Sequence, residues 1–531
     1  EARDGIEGEA GDESSLAEVK FFETQLATAT PLDLSGASAW QVKPDPLATP
    51  RKPARIALPE RRDIFDNYES VLIPPGPLAY VIISSRHPNG VATRAVACDL
   101  ETRKVAKDAE FYLGQVPLDV SPDSRRMVSC GIRWSGDEDA TLTLFEIDQF
   151  KTTPKFRWQP YAGEWGHYKE IEWARFVDAD HLATMSRWGQ LALWDLARGK
   201  PEPVYAGRAD IRGARAVFSP GRKYLVVLTG KGISFLDPLD GSSLGYIDTQ
   251  TQGFASHLGH AISPDGGKLA LVDHGRVRTW DLATGEQARD FTLAEGRSTD
   301  QLVWCDDQHL LTGNGDLIDL DRRIVIWKYS GIDSPLWSTG EAVWGISGSR
   351  TGEASLLIGA KLPHKEALRA AETLDADALL VIRPGLDVSL RMSFSGSADE
   401  QERVRQALTA RLEQVGMKVV PQSNVVLSAT IRPGEAQKVQ YRNFNGGSYT
   451  EHTVQTQILE LAYLVDNKPV WKHQRQSWTP AVLHLSQGES IQQALSRAMK
   501  QDAKTFESIA VPAHVAITPP GWPPTSPWSG G

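Results

Sequence analysis

The chain has 531 residues, too many for one ordinary core, so its length points to two to four domains. Charged residues make up 23% and hydrophobic residues 41%, the balance of a soluble globular protein. A net charge of −10 argues against general binding to nucleic acid, because a surface that tracks phosphates needs a basic excess.

Only Cys98, Cys130 and Cys305 are present, which rules out a disulfide framework and gives no zinc-like spacing. They are expected as small buried hydrophobes in strands. No apolar run approaches the ~20 residues of a membrane-spanning helix. The chain begins at Glu1, which fits either a mature protein that has lost a signal peptide or a truncated one.

Residues 1–36 read as an acidic arm. Ser15 and Glu18 form a capping-box pattern, and Val19, Phe22 and Leu26 follow at helical spacing. The expectation is a short amphipathic helix over 15–27. It either packs on its own domain or, through Phe22, reaches a partner. Residues 37–62 are proline-rich and read as an extended surface crossing.

From residue 63 a repeat sets in. Leu193-Trp194-Asp195-Leu196 returns as Thr279-Trp280-Asp281-Leu282, with degraded copies ending at Asp99, Glu146, Asp237 and Asp319. In chain order the acidic markers stand 47, 49, 42, 44 and 38 residues apart. That period, closing on a Trp-Asp-like pair, is the pattern of a β-propeller blade. Between markers come turns of one kind: Ser121-Pro122-Asp123, Asp178-Ala179-Asp180, Ser219-Pro220-Gly221, Ser263-Pro264-Asp265-Gly266 and Asp306-Asp307. The apolar runs 224–228 and 268–272 suit buried middle strands. Six blades are expected to end near 103, 150, 200, 243, 288 and 330. Residues 334–362 look like an incomplete seventh, which a strand from 37–58 would close, because a ring must hide its edges. Seven blades over 63–362 are favoured, with six or eight as alternatives.

The pattern then changes. Residues 364–374 read as a helix and 378–382 as a buried strand. The strand 388–394 alternates, and Ser397 and Glu400 cap a helix that Gly416 ends. A long strand over 450–465, another near Val470 and a final helix through Leu495 follow. That order describes a small α+β two-layer sandwich over 363–512. The tail, 513–531, is rich in proline and tryptophan and is expected to be extended and mobile.

A search for chemistry finds no nucleophile elbow, no His-Glu-x-x-His, no phosphate loop and no dinucleotide fingerprint. The expectation is no catalytic residue, no metal and no cofactor. Gly313-Asn314-Gly315-Asp316 reads as a hairpin turn, and 135–139 as a solvated acidic loop. His260 is expected to bond to the turn or the Asp region of its own blade, and His257 could place a second imidazole beside it. Among 16 tryptophans, Trp194, Trp280 and Trp327 read as packing between blades. Trp165 and Trp188 are candidates for exposed anchors, while Trp522 and Trp528 have no core of their own in the tail.

The Trp-Asp-Leu ends, the Ser-Pro-Asp-Gly turns and Gly259-His260 resemble the WD-repeat family over about 63–362, in a degenerate, bacterial-type form. The resemblance implies a platform for protein interactions. The C-terminal element order is similar to small periplasmic lipoprotein-type domains, such as those of outer-membrane assembly factors. A propeller joined to a small α/β domain also looks like the Tol-system periplasmic propeller, in reversed order. The leading expectation is therefore a non-catalytic scaffold, periplasmic or extracellular. Other protein subunits are its expected partners, with peripheral association to an envelope complex and the terminal arms tying it in. Two alternatives stand beside it: an enzyme or small-ligand binder using the central channel, and a carbohydrate or cell-wall binder using exposed tryptophans.

Overall fold

The computed structural model describes residues 16–528 apart from 17, 35–38, 48, 62–65, 75, 88–89, 113, 132–139, 164–168, 210–214, 250–257, 294–298, 349–354, 442–448 and 481. Seven antiparallel sheets form a seven-bladed β-propeller. Their innermost strands are Asp66–Leu72, Gln115–Val120, Ile171–Phe176, Arg215–Phe218, Gly259–Ile262, Leu302–Trp304 and Asp333–Ser338. The seventh lies beside the first and closes the ring.

The repeated residues act by hydrogen bonding. The carboxylate of each Asp marker turns back on the following loop: Asp195 accepts from Ala197 N at 2.8 Å, Asp237 from Leu239 N at 2.8 Å and Asp281 from Ala283 N at 2.8 Å. This Asx turn starts the hairpin into a fourth, outermost strand. The expected blade ends near 103, 150, 200, 243 and 288 therefore fall at the start of that strand, not its end. The outermost strands are half-exposed and polar, as in Lys104–Glu110, so they carry little hydrophobic signal. The turn serines work similarly. Ser219 Oγ accepts from Tyr224 N at 3.1 Å and Ser263 Oγ from Lys268 N at 2.8 Å. Asp178 and Asp306 replace serine in blades 3 and 6, and each takes a histidine Nδ1 as well, from His181 at 2.9 Å and His309 at 2.8 Å.

Each pair of neighbouring blades packs an apolar cluster of its own. Trp158, Trp194, Trp304 and Trp344 are fully buried, and Trp194 Nε1 donates to Thr184 Oγ1 at 2.9 Å. Cys98 and Cys130 are buried and Cys305 half-buried; all three are free thiols.

The N-terminal segment is a strap on this ring. Residues 21–23 are strand, not the expected helix: Phe21–Glu23 adds in parallel to the outer strand of blade 2. The free edge of Lys151–Gln159 supplies backbone partners that outweigh a weak helical pattern. Thr30–Pro31 repeats the move on blade 3. Trp40 Nε1 then donates to Leu282 O at 3.0 Å, and its ring meets Phe235 at 5.0 Å. Gly285 is required beneath it, since a Cβ there would sit 2.8 Å from the indole. The strap next crosses the turns between first and second strands. Buried Asp45 accepts from Ser219 Oγ at 2.6 Å and Lys223 N at 2.9 Å, and Leu47 N donates to Pro264 O at 2.8 Å. Arg51 N donates to Thr339 O at 3.0 Å in blade 7, and its guanidinium reaches Pro74 O at 2.7 Å in blade 1. Ala54–Ala57 finally pairs with Leu356–Ala360 as the outermost strand of blade 7.

After Leu362 the helix Lys365–Glu372 buries Ala367 and Ala371 against blades 6 and 7. Leu380–Ile382, expected in the sandwich, instead pairs with Val515–Ala516, which lies in parallel along blade 5. Two passes of the chain thus fasten the second lobe to the propeller rim. In that lobe the sheet order runs Lys418–Val419, Asp387–Ser393, Val425–Tyr441, Thr450–Val465, Lys468–Gln476. The second and third are parallel, because the helix Ala398–Gln414 crosses between them. Val404, Leu408 and Leu412 pack that helix on the sheet. No helix among the described residues is long and apolar enough to cross a membrane.

Candidate functional sites

Two places combine accessible shape with chemistry. The first is a cavity of about 510 Å³ on the inner walls of blades 1–3. Glu69 and Ser70 line it from blade 1, Val116, Pro117 and Leu118 from blade 2, and Ile171, Glu172, Trp173 and Arg175 from blade 3. Such a volume suits a small ligand. Ser84 Oγ donates to Glu69 Oε1, fixing that carboxylate from the neighbouring strand. Glu172 Oε1 lies 3.8 Å from Arg215 Nη1 in blade 4. Arg175 Nη1 donates to Leu118 O and to Ala174 O, the latter at 3.2 Å. Burial, against the opposing attraction of Asp119, holds its guanidinium below the ordinary value. Beside this joint, Asp119 Oδ2 accepts from Phe176 N at 2.8 Å, and Arg222 Nη1 stands 3.9 Å away, so blades 2, 3 and 4 are tied together there.

His260 does not meet the turn or the Asp region of its blade, as expected. It starts the innermost strand of blade 5 and turns Nδ1 toward Leu258 O at 3.5 Å. Burial, helped by Arg215, pushes its value down from 6.5 to about 4. A depressed folded value gives full stability above pH 6.5, where the ring is neutral in both states. Stability is lost as pH drops through that window toward 4, because the unfolded chain binds a proton that the native strand refuses. Melting temperature should therefore decline between pH 6.5 and 4, and His260→Gln should flatten that part of the profile. An unchanged slope in the variant would assign the decline to other groups.

The second place is the far end of the C-terminal lobe. The hairpin Val425–Tyr441 and Thr450–Val465 extends past the first core, and Val454, Leu495 and Met499 build a second one on it. Residues 477–480 and 482–490 lie at this end, held by several hydrogen bonds. Ser477 N donates to Gln457 O at 2.9 Å, Tyr441 Oη donates to Pro480 O, and Arg497 Nη2 donates to His484 O at 3.0 Å. Leu483 turns inward against the second core. Val482 and Leu485 face solvent, as does Tyr449 nearby in sequence to the strand start, and the Trp478 side chain is 82% exposed.

The expected anchors lie elsewhere. Phe22 packs edge-to-face on Phe156 at 5.7 Å. Trp188 is half-buried in the turn after Ser186, and its backbone N meets Ser186 Oγ at 3.3 Å. Trp165, His257 and the acidic loop 135–139 lie outside the described residues. The described part of the tail is docked on the propeller. Thr525–Pro527 adds in parallel to Ile324–Ser330, Trp522 Nε1 donates to Val325 O at 3.1 Å, and Trp528 is buried against Tyr329 at 5.7 Å. An unpaired blade edge and an apolar notch at its side give the tail partners that composition alone does not reveal. Trp327, expected between blades, instead holds the tail through Nε1 to Ser526 Oγ at 3.0 Å. Sequence reasoning missed Trp478, whose only signal was a tryptophan set among Ser, Thr and Pro.

No protein-family model matches the chain, and no curated protein matches it either. Among solved structures, the crystal structure of Sqt1 from Chaetomium thermophilum is similar over 58% of this chain and 82% of that one, at 12% identity and a TM-score of 0.39. The seven sheets, the Asp-closed hairpins and the serine turns by themselves make this a WD-repeat-like propeller.

Proposed function

We propose that the protein is a non-catalytic interaction platform, a subunit of a larger assembly, that engages a protein partner through the far end of its C-terminal lobe. The carrying observation is Trp478, 82% exposed on a segment that its own hydrogen bonds hold in place. Aromatic side chains dominate the energetics of protein interfaces, and Val482 and Leu485, exposed a few residues on, support a docking role. The propeller suits the part of a rigid carrier. Its outer edges are largely taken up by its own chain, which leaves the second lobe to present a surface. Placement in the periplasm or outside the cell belongs to the same proposal, and fractionation of the source tests it.

Trp478→Ala combined with Leu485→Ala should leave the melting temperature unchanged, because both side chains are in water. In gentle extracts the wild type should elute well above 58.3 kDa with constant companions, and the variant should lose them. Elution of the wild type as a lone monomer, or companions retained by the variant, would sink this reading.

A further inference from the structure

The register of the second lobe's sheet sorts its residues onto two faces. Leu427, Leu461 and Tyr463 belong to the core under the helix Ala398–Gln414. Their neighbours in the alternation lie on the other face. Arg391, Ser428, Ala462 and Lys472 stand side by side there on four successive strands. Thr430 and Glu460 lie in the next row, and Arg432 and Ile458 in the one after. Further along the same face of Thr450–Val465 comes Val454, which the helix Ile491–Met499 covers through Leu495 and Met499. Short of Val454 the face is open: Val426, Ile458 and Ala462 lie on it, and no hydrophobic cluster among the described residues forms over them. Ser477 prolongs the outer strand, its N donating to Gln457 O at 2.9 Å and its Oγ accepting from Gln457 N at 2.8 Å. Trp478 therefore stands at the border between the covered and the open part. The open part is cationic in a chain of net charge −10. Arg391 and Lys472 are exposed at its two sides, and Arg391 Nη2 donates to the neutral Asn467 Oδ1 at 3.2 Å. Its carboxylate, Glu460, lies 4.0 Å from Arg432 and offsets that cation alone.

We propose that the open face receives an acidic amphipathic helix of a partner protein, laid in continuation of Ile491–Met499 and beside Trp478. The inference deepens the docking role of this lobe and rests on it. A helix is the fitting occupant because the sheet already carries two: Ala398–Gln414 on the opposite face, and Ile491–Met499 farther along this one. Strands about 4.8 Å apart put Arg391 and Lys472 about 14 Å from each other, room for a helix about 10–12 Å across. The floor between them is Ser428 and Ala462, whose small side chains let a helix come close. Its apolar stripe would cover Ala462 and Ile458, and carboxylates on its flanks would meet Arg391 and Lys472. A basic helix would meet these two cations as like charges. An extended peptide takes its backbone partners from a strand edge, which a sheet face does not offer.

The test titrates the full chain into labelled synthetic helices of about four turns and reads anisotropy. One probe is built of leucine, alanine and glutamate, a second has lysine for glutamate, and a third is the acidic one broken by a central proline. The acidic helix alone should bind, saturably, and more weakly as salt rises. Arg391→Glu and Lys472→Glu should each raise its Kd roughly fivefold or more. Both side chains are exposed, so neither variant should shift the melting temperature. Arg403→Glu reverses an exposed charge on the helix of the opposite layer and should bind like the wild type. No binding of the acidic helix would overturn the proposal. So would equal binding of the lysine or proline probe, or a loss in Arg403→Glu as large as in Arg391→Glu. The extract measurement separates the two readings. Companions lost by the Trp478→Ala/Leu485→Ala variant but kept by Arg391→Glu/Lys472→Glu would overturn the helix and leave the docking role standing. Companions kept by both variants would remove the docking role and the helix with it.

Discussion

Replacing Trp528 by alanine should destabilise the protein by about 3–5 kcal/mol, the usual cost of emptying a buried large aromatic site. The indole is only 3% exposed and fills the space between blades 6 and 7, in one cluster with Tyr329, Leu336 and Val343. Its backbone N also donates to Ser330 O at 2.7 Å. Trp528→Phe should recover most of the loss, because the edge-to-face contact with Tyr329 survives. Removing 513–531 altogether should cost more, since Val515–Ala516 and Thr525–Pro527 both leave strand edges bare. Denaturant unfolding followed by tryptophan fluorescence would measure each step. A midpoint unchanged by Trp528→Ala would show that the docked tail contributes nothing to the fold.

The strap gives the second large effect. Asp45→Ala should cost about 2–4 kcal/mol, because it strips a charged acceptor from Ser219 Oγ and Lys223 N in a buried place. Asp45→Asn keeps one acceptor oxygen and should retain about half of the stability, on the same reasoning. Gly266→Ala attacks the same crossing from the other side. Its φ is +70°, and an added Cβ would stand 2.3 Å from the backbone N and O of Asp45, so the strap itself must move. The double variant Asp45→Ala/Gly266→Ala should then lose less than the sum of the single losses, since both break one contact. Full additivity would mean that the two positions act apart.

The repeat was legible because each of its residues closes a local hydrogen bond. A carboxylate that reaches two residues ahead leaves a mark at fixed spacing, and so does a serine that caps its own turn. Six of the seven blades followed from such marks, and the seventh from the need to close the ring. What escaped was non-local. Phe22 was read by helical spacing, yet its conformation is set by an edge strand some 135 residues on, the separation that joins Thr24 to Gln159. Trp522 and Trp528 looked unattached because their partners, Val325 and Tyr329, carry no signal of an open edge. Slips in the strand ladder, such as the one between Ile171 and Trp173, were invisible as well. One extra residue in an alternating strand reads as noise until its neighbour in the ladder is known. Trp478 escaped for the opposite reason, since it has no partner pattern to find.

The order in which the chain is made gives the strap and tail a further meaning. Blade 7 needs Ala54–Ala57, which leaves the ribosome early, but its partner Leu356–Ala360 emerges some three hundred residues later. Blades 5 and 6 wait longer still, for Val515–Ala516 and Thr525–Pro527. During synthesis Ala54–Ala57 must therefore stay unpaired, or pair wrongly, while the middle of the ring forms. A nascent chain that stalls before residue 515 would present open strand edges on adjacent blades, the kind of surface that recruits another unfinished copy. The ring thus takes edge strands from segments on both sides of the blades, and its last open edge closes only once Thr525–Pro527 has been made.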